Sequence, residues 1–235
     1  LAAIAAELGF TQISTSHDVS ALIKLVGRGD TTLADAYLSP VLRRYVDQFV
    51  AELGDGTDPQ FMKSSGGLAS ASAFHGRDAI LSGPAGGIVG MVGSAAPLGK
   101  DRLIGFDMGG TSTDVSHYAG RLERDNETIV AGTRIRAPML RIHTVAAGGG
   151  SICRWDGARL LVGPESAGAN PGPAAYGRGG PLTVTDCNIL LGKIQPGHFP
   201  RLFGPNGDQP LDRAVVVEKF AAMAAEVGGI TPEAL

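Results

Sequence analysis

The sequence predicts an α/β fold. Two observations carry that prediction. Segments with apolar residues three or four apart alternate with short apolar runs of strand type along the whole chain, and glycines gather at motif-like junctions instead of in low-complexity linkers. No internal repeat is visible.

Leu1 to Leu8 has helical period and meets a natural stop at Gly9. Phe10 to Ser16 reads as a strand that leads to His17-Asp18 in a loop. Leu33 to Leu38 and then Pro40 to Leu53 read as helix, with Leu38, Leu42, Tyr45, Phe49 and Leu53 as its apolar positions. Ser39 before Pro40 suits an N-cap with proline at the first helical position. Asp55 to Pro59 reads as a turn, and Gln60 to Met62 starts a short strand that ends in Ser64-Ser65-Gly66-Gly67. Ser82 to Ala96 is a helix of small residues. Gly86, Gly90 and Ser94 on one side suit close packing, and Ser82-Gly83-Pro84 at its start suits an anion. Leu103 to Phe106 and Thr113 to Tyr118 read as strands, as do Ile129-Val130 and Arg134 to Val145. Residues 163 to 181, rich in Gly, Pro and Ala, read as a long ordered loop or a cover over a site. Leu211 to Val227 is a final amphipathic helix, stopped by Gly228-Gly229.

The chain has 235 residues, 43% apolar and 18% charged, which suits a globular protein and excludes a disordered one. The net charge of −3 comes with no Lys/Arg block, so neither nucleic acid nor a membrane surface is an expected partner. Leu1 to Leu8 lacks the basic start of a secretory signal. The apolar run Ile88 to Leu98 is broken by glycines and too short to span a bilayer. Cys153 and Cys187 match no metal-ligand spacing, and the expectation is reduced, mostly buried thiols in a cytoplasmic protein. Both ends read as cuts, so the chain is expected to be part of a longer protein.

Ile104 to Ser116 carries the strongest functional signal. A short apolar lead (Leu103, Ile104, Phe106) runs into Asp107. Gly109 and Gly110 follow, then the hydroxyls of Thr111, Ser112 and Thr113, then a second carboxylate at Asp114. Glycine lets backbone turn sharply and approach a bulky anion. The hydroxyls add donors to the amide N–H groups that face phosphate oxygens. Two carboxylates beside a phosphate are repulsive unless a divalent cation lies between them or one orients a water. The segment therefore reads as an ATP phosphate and Mg²⁺ loop, with Asp107 and Asp114 as catalytic and metal-binding residues and Gly109 to Thr113 as phosphate contacts. It is neither a P-loop, lacking Gly-Lys-Ser/Thr, nor a dinucleotide fingerprint. The bland alternative is a Gly-Gly hairpin turn with solvated carboxylates.

Three weaker signals remain. Gly148-Gly149-Gly150-Ser151 follows the strand-like Ile142 to Val145 and suits either a nucleotide contact or a plain tight turn. Asp186 in Thr185-Asp186-Cys187-Asn188 is either a functional carboxylate at a strand end, a metal ligand included, or the cap of a helix Asn188 to Leu191. His17, His75, His117, His143 and His198 show no metal-ligand spacing; His17 with Asp18, and His143, are the two that lie in motif-like segments.

Asp107 to Asp114 resembles the phosphate motif of the actin, Hsp70 and sugar-kinase superfamily, in the form used by the hydantoinase A / 5-oxoprolinase family. The resemblance extends almost end to end, through Ser16 to Ser20, Leu81 to Gly90, His143 to Ser151, Val162 to Ala174 and Gly179 to Asn188. Phe203 to Leu211 is closer to the 5-oxoprolinase branch. Similar sequences usually carry Cys within the Pro-Gly-Pro-Ala-x-Tyr segment, where this chain has Ala175. The resemblance implies a ribonuclease H-like lobe, a mixed sheet flanked by helices. Residues 1–100 would be lead-in elements and residues 101–235 the phosphate-binding lobe. It further implies an ATP- and Mg²⁺-dependent amidohydrolase that opens a cyclic amide, 5-oxo-L-proline to L-glutamate, with Gly148, Gly149 and Gly150 at the nucleotide. The implied partners are a lactam substrate, a preceding lobe carrying a related Asp-x-Gly-Gly-Thr motif, a hydantoinase B-type portion or subunit, and a homo- or hetero-oligomer. A hydantoinase or ketone-carboxylase subunit of the same family, and a nucleotide-gated binding module of the Hsp70 type, are the competing readings.

Overall fold

The computed structural model describes residues 1–54, 56–130 and 132–235. Its helices are α1 (Ala2–Glu7), α2 (Ser16–Val19), α3 (Leu25–Leu53), α4 (Gly76–Ala79), α5 (Ser82–Ala95), α6 (Val184–Leu190) and α7 (Arg213–Val227). The strands are β1 (Gln60–Met62), β2 (Leu68–Ser70), β3 (Arg102–Met108), β4 (Thr113–Ala119), β5 (Arg124–Asp125), β6 (Thr128–Val130), β7 (Thr133–Ile135), β8 (Met139–Leu140), β9 (His143–Val145), β10 (Ser151–Trp155) and β11 (Leu160–Ser166). The α/β class expected from the sequence is what the chain adopts. Among the described residues the strands form small sheets, one of order β3-β4-β9 and the rest antiparallel pairs.

The chain divides into two compact units, residues 1–105 with 115–143, and residues 106–114 with 144–235. The polypeptide thus leaves the first unit midway along β3, turns through Gly109-Gly110, and returns early in β4.

In the first unit, α3 is a single helix that runs through Pro40, not two pieces with a boundary at Ser39. Pro40 withholds one backbone donor, and the helix tolerates this because packing on both sides of the proline fixes it. Ser39 is no N-cap: its hydroxyl accepts the Gly76 amide at 3.1 Å. The buried line of α3 holds Gly27, Thr31, Asp35 and Val46, so its first half buries small and polar groups. Each polar group is satisfied. The Thr31 hydroxyl accepts the Arg136 amide at 2.8 Å, and Asp35 accepts from the Arg77 amide and the Ser14 hydroxyl. Leu42, Val46 and Val50 pack against Phe61, Ala69 and Phe74. Tyr45, Phe49 and Leu53, expected among the apolar positions of this face, are exposed.

Three other local expectations change. Phe10 to Thr15 forms no strand; Phe10 is exposed, and the Thr15 carbonyl instead starts α2 by accepting the Asp18 and Val19 amides. His17 and Asp18 therefore lie in a short helix, not a loop. Arg134 to Val145 breaks into β7, β8 and β9. The turn expected at Asp55 to Pro59 begins at Asp55, outside the described residues. The helix Ser82–Ala95 forms as expected, yet its small-residue side is only lightly packed: a Cβ at Gly86 would lie 3.8 Å from Met62, and one at Gly90 would meet nothing within 4 Å.

The second unit is built on the β10–β11 hairpin, which the sequence analysis leaves unassigned, with Cys153 opposite Val162 and Trp155 opposite Leu160. Its core gathers Leu182, Ile189 and Leu190 with Leu211, Val216, Phe220 and the small Ala174 and Ala175. Val216, Phe220 and Ala224 recur at four-residue spacing on α7, the face the amphipathic pattern predicts. Asp212 caps this helix through the Ala214 and Val215 amides, and Gly228 at φ +82° closes it. No helix among the described residues is long and apolar enough to cross a membrane.

Ile189 has no exposed surface. Ile189→Ala is expected to cost about 2–5 kcal/mol in urea unfolding, because the cavity it leaves is enclosed by two helices. Leu33→Ala, at a position 72% exposed, should change the midpoint by no more than about 0.5 kcal/mol of stability.

Candidate functional site

Every residue of the predicted phosphate loop and the Gly148-Gly149-Gly150 run lies in the second unit. The chain leaves β3 after Met108, and the Gly109 amide donates to the Ser112 carbonyl at 2.8 Å, closing a tight four-residue turn. Asp107 is exposed at the end of β3, and Asp114 is half-buried at the start of β4. The two carboxylates therefore flank the turn on adjoining strands. Thr144 donates its hydroxyl to the Asp114 carboxylate at 2.7 Å. Thr113 is buried and donates its hydroxyl to the Ala147 carbonyl at 2.6 Å.

The glycine run backs this turn. The Gly149 amide donates to the Gly109 carbonyl at 2.9 Å, and the Gly150 amide to the Gly110 carbonyl at 2.6 Å. Ser151 accepts the Gly148 amide on its hydroxyl at 3.0 Å. Two loops distant in sequence are thereby stitched carbonyl to amide. The fit leaves no room for side chains. A Cβ on Gly148 would lie 2.7 Å from the Gly110 carbonyl oxygen and 2.8 Å from that of Gly109, and one on Gly150 would lie 2.9 Å from the Gly110 oxygen. A Cβ on Gly110 itself would meet nothing within 4 Å. The glycines thus divide by task. Gly148 and Gly150 are small because backbone crowds them, whereas Gly110 faces open space.

Asp186 sits at the third residue of α6 in a capping box with Thr183. Its carboxylate accepts from the amides of Ala174, Ala175 and Thr183 and from the Thr183 hydroxyl, at 2.8–3.0 Å. Burial pushes the carboxyl above the ordinary carboxylate range, and these hydrogen bonds pull the other way. Four donors leave little of the carboxylate for a cation. The helix it caps starts at Val184, four residues before the Asn188 start expected from sequence, because Thr183 takes the N-cap position. Thr185, next to it, donates its amide to the Gly149 carbonyl at 2.8 Å, so the capped end of α6 is tied to the glycine run.

Ala175, where the resemblance leads one to expect Cys, is fully buried with its amide on Asp186 and its carbonyl on the Asp212 amide. His17 pairs with Asp18 at 3.5 Å on the surface of the first unit. In that same unit His143 lines a cleft of about 290 Å³ with His117, Glu123 and Arg141. His117 lies 3.1 Å from Glu123, and Arg141 is shared between Glu123 and Asp125. Its partner Arg141 holds the Asp125 carboxyl below the ordinary range. No group of three or more His, Cys, Asp or Glu side chains among the described residues gathers as a cation cage.

The mutual support of the two glycine loops and the contact of the Cys153 and Cys187 sulfurs at 3.8 Å are not legible in the sequence. Nothing in the spacing of those residues announces either contact.

A family model described as Hydantoinase/oxoprolinase matches residues 28–234. The chain is 51% identical over 221 residues to 5-oxoprolinase of Saccharomyces cerevisiae, a match that covers 92% of this chain and 17% of the yeast protein. The crystal structure of ATP-dependent caprolactamase from Pseudomonas jessenii superposes with a TM-score of 0.73 at 38% identity, over 99% of this chain and 34% of that one. A nucleotide-free structure of acetone carboxylase also gives 0.73, at 30% identity, over 93% and 31%. The chain therefore spans about a sixth of the length of the yeast relative.

The steric division among the glycines is testable by unfolding. Gly148→Ala should cost about 1–3 kcal/mol, since backbone must move to admit the methyl. Gly110→Ala should leave the urea midpoint near that of the unchanged protein, its Cβ pointing into open space.

Proposed function

The chain belongs to the hydantoinase/oxoprolinase family, and we propose that it supplies the ATP phosphate-binding lobe of an ATP-dependent cyclic amide hydrolase, with 5-oxo-L-proline as substrate and L-glutamate as product. The observation that carries this reading is the Gly109-Gly110 turn, which is open on its outer face, held rigid from behind by Gly149 and Gly150, and flanked by Asp107 and Asp114. The identity to a 5-oxoprolinase supports the choice of substrate. The name of the caprolactamase neighbour, an ATP-dependent enzyme acting on a lactam, supports the reaction class.

In this reading the γ-phosphate rests on the turn. Open space above Gly110 admits phosphate oxygens, and the hydroxyls of Thr111 and Ser112 donate to them. Thr113 points away, its hydroxyl engaged by the Ala147 carbonyl, and serves to set the loop geometry. Asp107 and Asp114 would hold Mg²⁺. The oxygen-only donor set suits that cation, which commonly takes one or two protein carboxylates and completes its shell with water and substrate phosphate. When bound, the ion neutralises phosphate charge as it develops. Thr144 keeps Asp114 oriented and leaves its other oxygen free to act. Gly148, Gly149 and Gly150 act at the nucleotide indirectly, by fixing the turn. Asp186 is a structural anchor of the loop that follows.

The chemical need for ATP is plain. An amide is a poor electrophile with a poor leaving group, whereas phosphorylating the lactam oxygen creates an imidate whose phosphate departs readily. The lactam site, a preceding lobe and a hydantoinase B-type portion belong to further chain or subunits. Phe106, 70% exposed on the strand that delivers Asp107, supports an additional covering element there.

A second reading, a carboxylase of the acetone type, keeps the phosphate loop and changes the acceptor; the 0.73 TM-score to acetone carboxylase favours considering it.

The test is 5-oxoproline-dependent ATP hydrolysis by the full-length protein, with hydantoins, caprolactam and acetone plus bicarbonate assayed in parallel. ADP and glutamate should appear in step. Asp107→Asn and Asp114→Asn should each lower kcat roughly a hundredfold or more while folding is retained. Gly110→Ala should raise the KM for ATP with an unchanged melting temperature. Near-normal turnover in both Asp variants would remove the phosphate-loop assignment, and coupling to a different acceptor would remove only the substrate.

A further inference from the structure

Cys153 lies on β10 and Cys187 within α6, 34 positions later, and their sulfurs are 3.8 Å apart. Sulfurs at that separation touch, and a disulfide requires them to approach by roughly a further 1.8 Å, within reach of side-chain rotation when the backbones are already aligned. Here they are. The Cys153 amide donates to the Leu182 carbonyl at 2.8 Å, and Ile152 forms a β-bridge with Thr183, so β10 and the entry to α6 run side by side. Both thiols are half-buried, which leaves a small oxidant able to reach them. No other cysteine is present in the chain to compete.

We propose that Cys153 and Cys187 are a reversible dithiol–disulfide modification site, oxidised by hydroperoxides, that fastens β10 to α6 directly behind the Gly148–Ser151 loop. This goes beyond the phosphate-loop reading and does not depend on it. Either thiol can begin the reaction, and the contact between them favours Cys187. The contact with Cys153 holds the Cys187 pKa below the ordinary thiol value, and that contact together with burial pushes the Cys153 thiol up.

The chemistry balances with one equivalent of peroxide. The Cys187 thiolate attacks a peroxide oxygen and the O–O bond breaks. Hydroxide departs and takes up the proton the thiol released, giving water and Cys187 sulfenic acid. The Cys153 sulfur then attacks the Cys187 sulfur and the S–O bond breaks. The leaving hydroxide takes the Cys153 proton as the second water. Two thiols lose two electrons in all, and the peroxide gains them. A small dithiol reverses the bond by exchange. Disulfides of this kind in reducing compartments are typically transient and regulatory.

The consequence is mechanical. Cys153 is two residues from Ser151, whose hydroxyl accepts the Gly148 amide, and Cys187 is two residues from Thr185, whose amide is held by the Gly149 carbonyl. A bond between them closes the loop 153–187, which holds the Thr185 attachment of the glycine run and begins two residues after the Ser151 one.

The experiment is peptide mapping of the full-length protein after treatment with stoichiometric hydrogen peroxide, alkylation of remaining thiols and digestion with trypsin. Cleavage after Arg141, Arg154, Arg178 and Lys193 places the cysteines on peptides 142–154 and 179–193. The expected product joins these two peptides at a mass 2 Da below their sum, and dithiothreitol returns both in alkylatable form. In Cys153→Ser the Cys187 sulfenic acid should persist and be captured by dimedone. The oxidised protein should melt roughly 5–10 °C higher than the reduced one, from the restriction placed on the unfolded chain. Recovery of the two peptides separately, with thiols intact or each carried to sulfinic acid, would overturn the proposal.

Discussion

The candidate site depends on two hydrogen bonds between glycines, Gly149 to Gly109 and Gly150 to Gly110. Each contributes modestly to net stability, on the order of 1 kcal/mol. Their importance is positional. A turn that presents amides and hydroxyls to an anion must keep those donors converged before the anion arrives, or ordering them subtracts from binding. Here the convergence is enforced from behind, because the turn's own carbonyls are occupied by a second loop. Backbone-to-backbone contact this close is open only to residues without a Cβ. The composition of residues 148–150 is thus a steric requirement of the fold.

That second loop needs a fixed base, and Asp186 provides it. A buried carboxylate with several donors is stable only while all of them remain in place, which makes it an effective device for holding separate segments in register. Its acceptors tie the amides of 174–175 to the start of α6, and Thr185 passes the constraint on to Gly149. Below it, the apolar cluster of Ile189, Leu190, Val216 and Phe220 locks α6 against α7. The order of dependence runs from core helix to capping box, then to the glycine run, and last to the Gly109-Gly110 turn. The exposed Asp107 stands at the far end of this sequence of supports.

Much of this was legible from residues, and the gaps have physical causes. The strand–turn–strand around Gly109-Gly110 and the final helix were readable because each is specified by local pattern: apolar lead, glycine pair, hydroxyls, or four-residue apolar spacing with a Gly stop. The continuity of α3 through Pro40 was not, since a local rule places a boundary there and tertiary packing overrides it. Its polar buried face was equally hidden. Nothing local marks Thr31 and Asp35 as buried, because their partners Arg136, Arg77 and Ser14 come from far along the chain. The β10–β11 hairpin carries mixed polar and apolar residues on both faces, which blurs the alternation a strand is recognised by. The roles of Asp186 and the two cysteines rest on contacts over 3 to 34 positions; a capping role for Asp186 was readable, but the helix starts at Val184 with Thr183 as its N-cap, four residues before the expected Asn188.

Glycine is where sequence and structure differ most in what they reveal. In the sequence, Gly109, Gly110, Gly148, Gly149 and Gly150 are the same residue in similar company, and each invites the inference of ligand approach. The space around each Cβ position separates them. Where the missing methyl would strike backbone, as at Gly148 and Gly150, absence of a side chain is explained by folding and needs no ligand. Where it would strike nothing, as at Gly110 and equally at Gly90, packing within the chain does not explain the glycine, and at Gly110 that opening is what the proposed phosphate contact would use. In the proposed reading, two carboxylates flanking that opening would repel an anion by themselves, so a phosphate bound there would arrive with a cation. An anion and a hard cation arriving together is the composition of a metal–nucleotide complex.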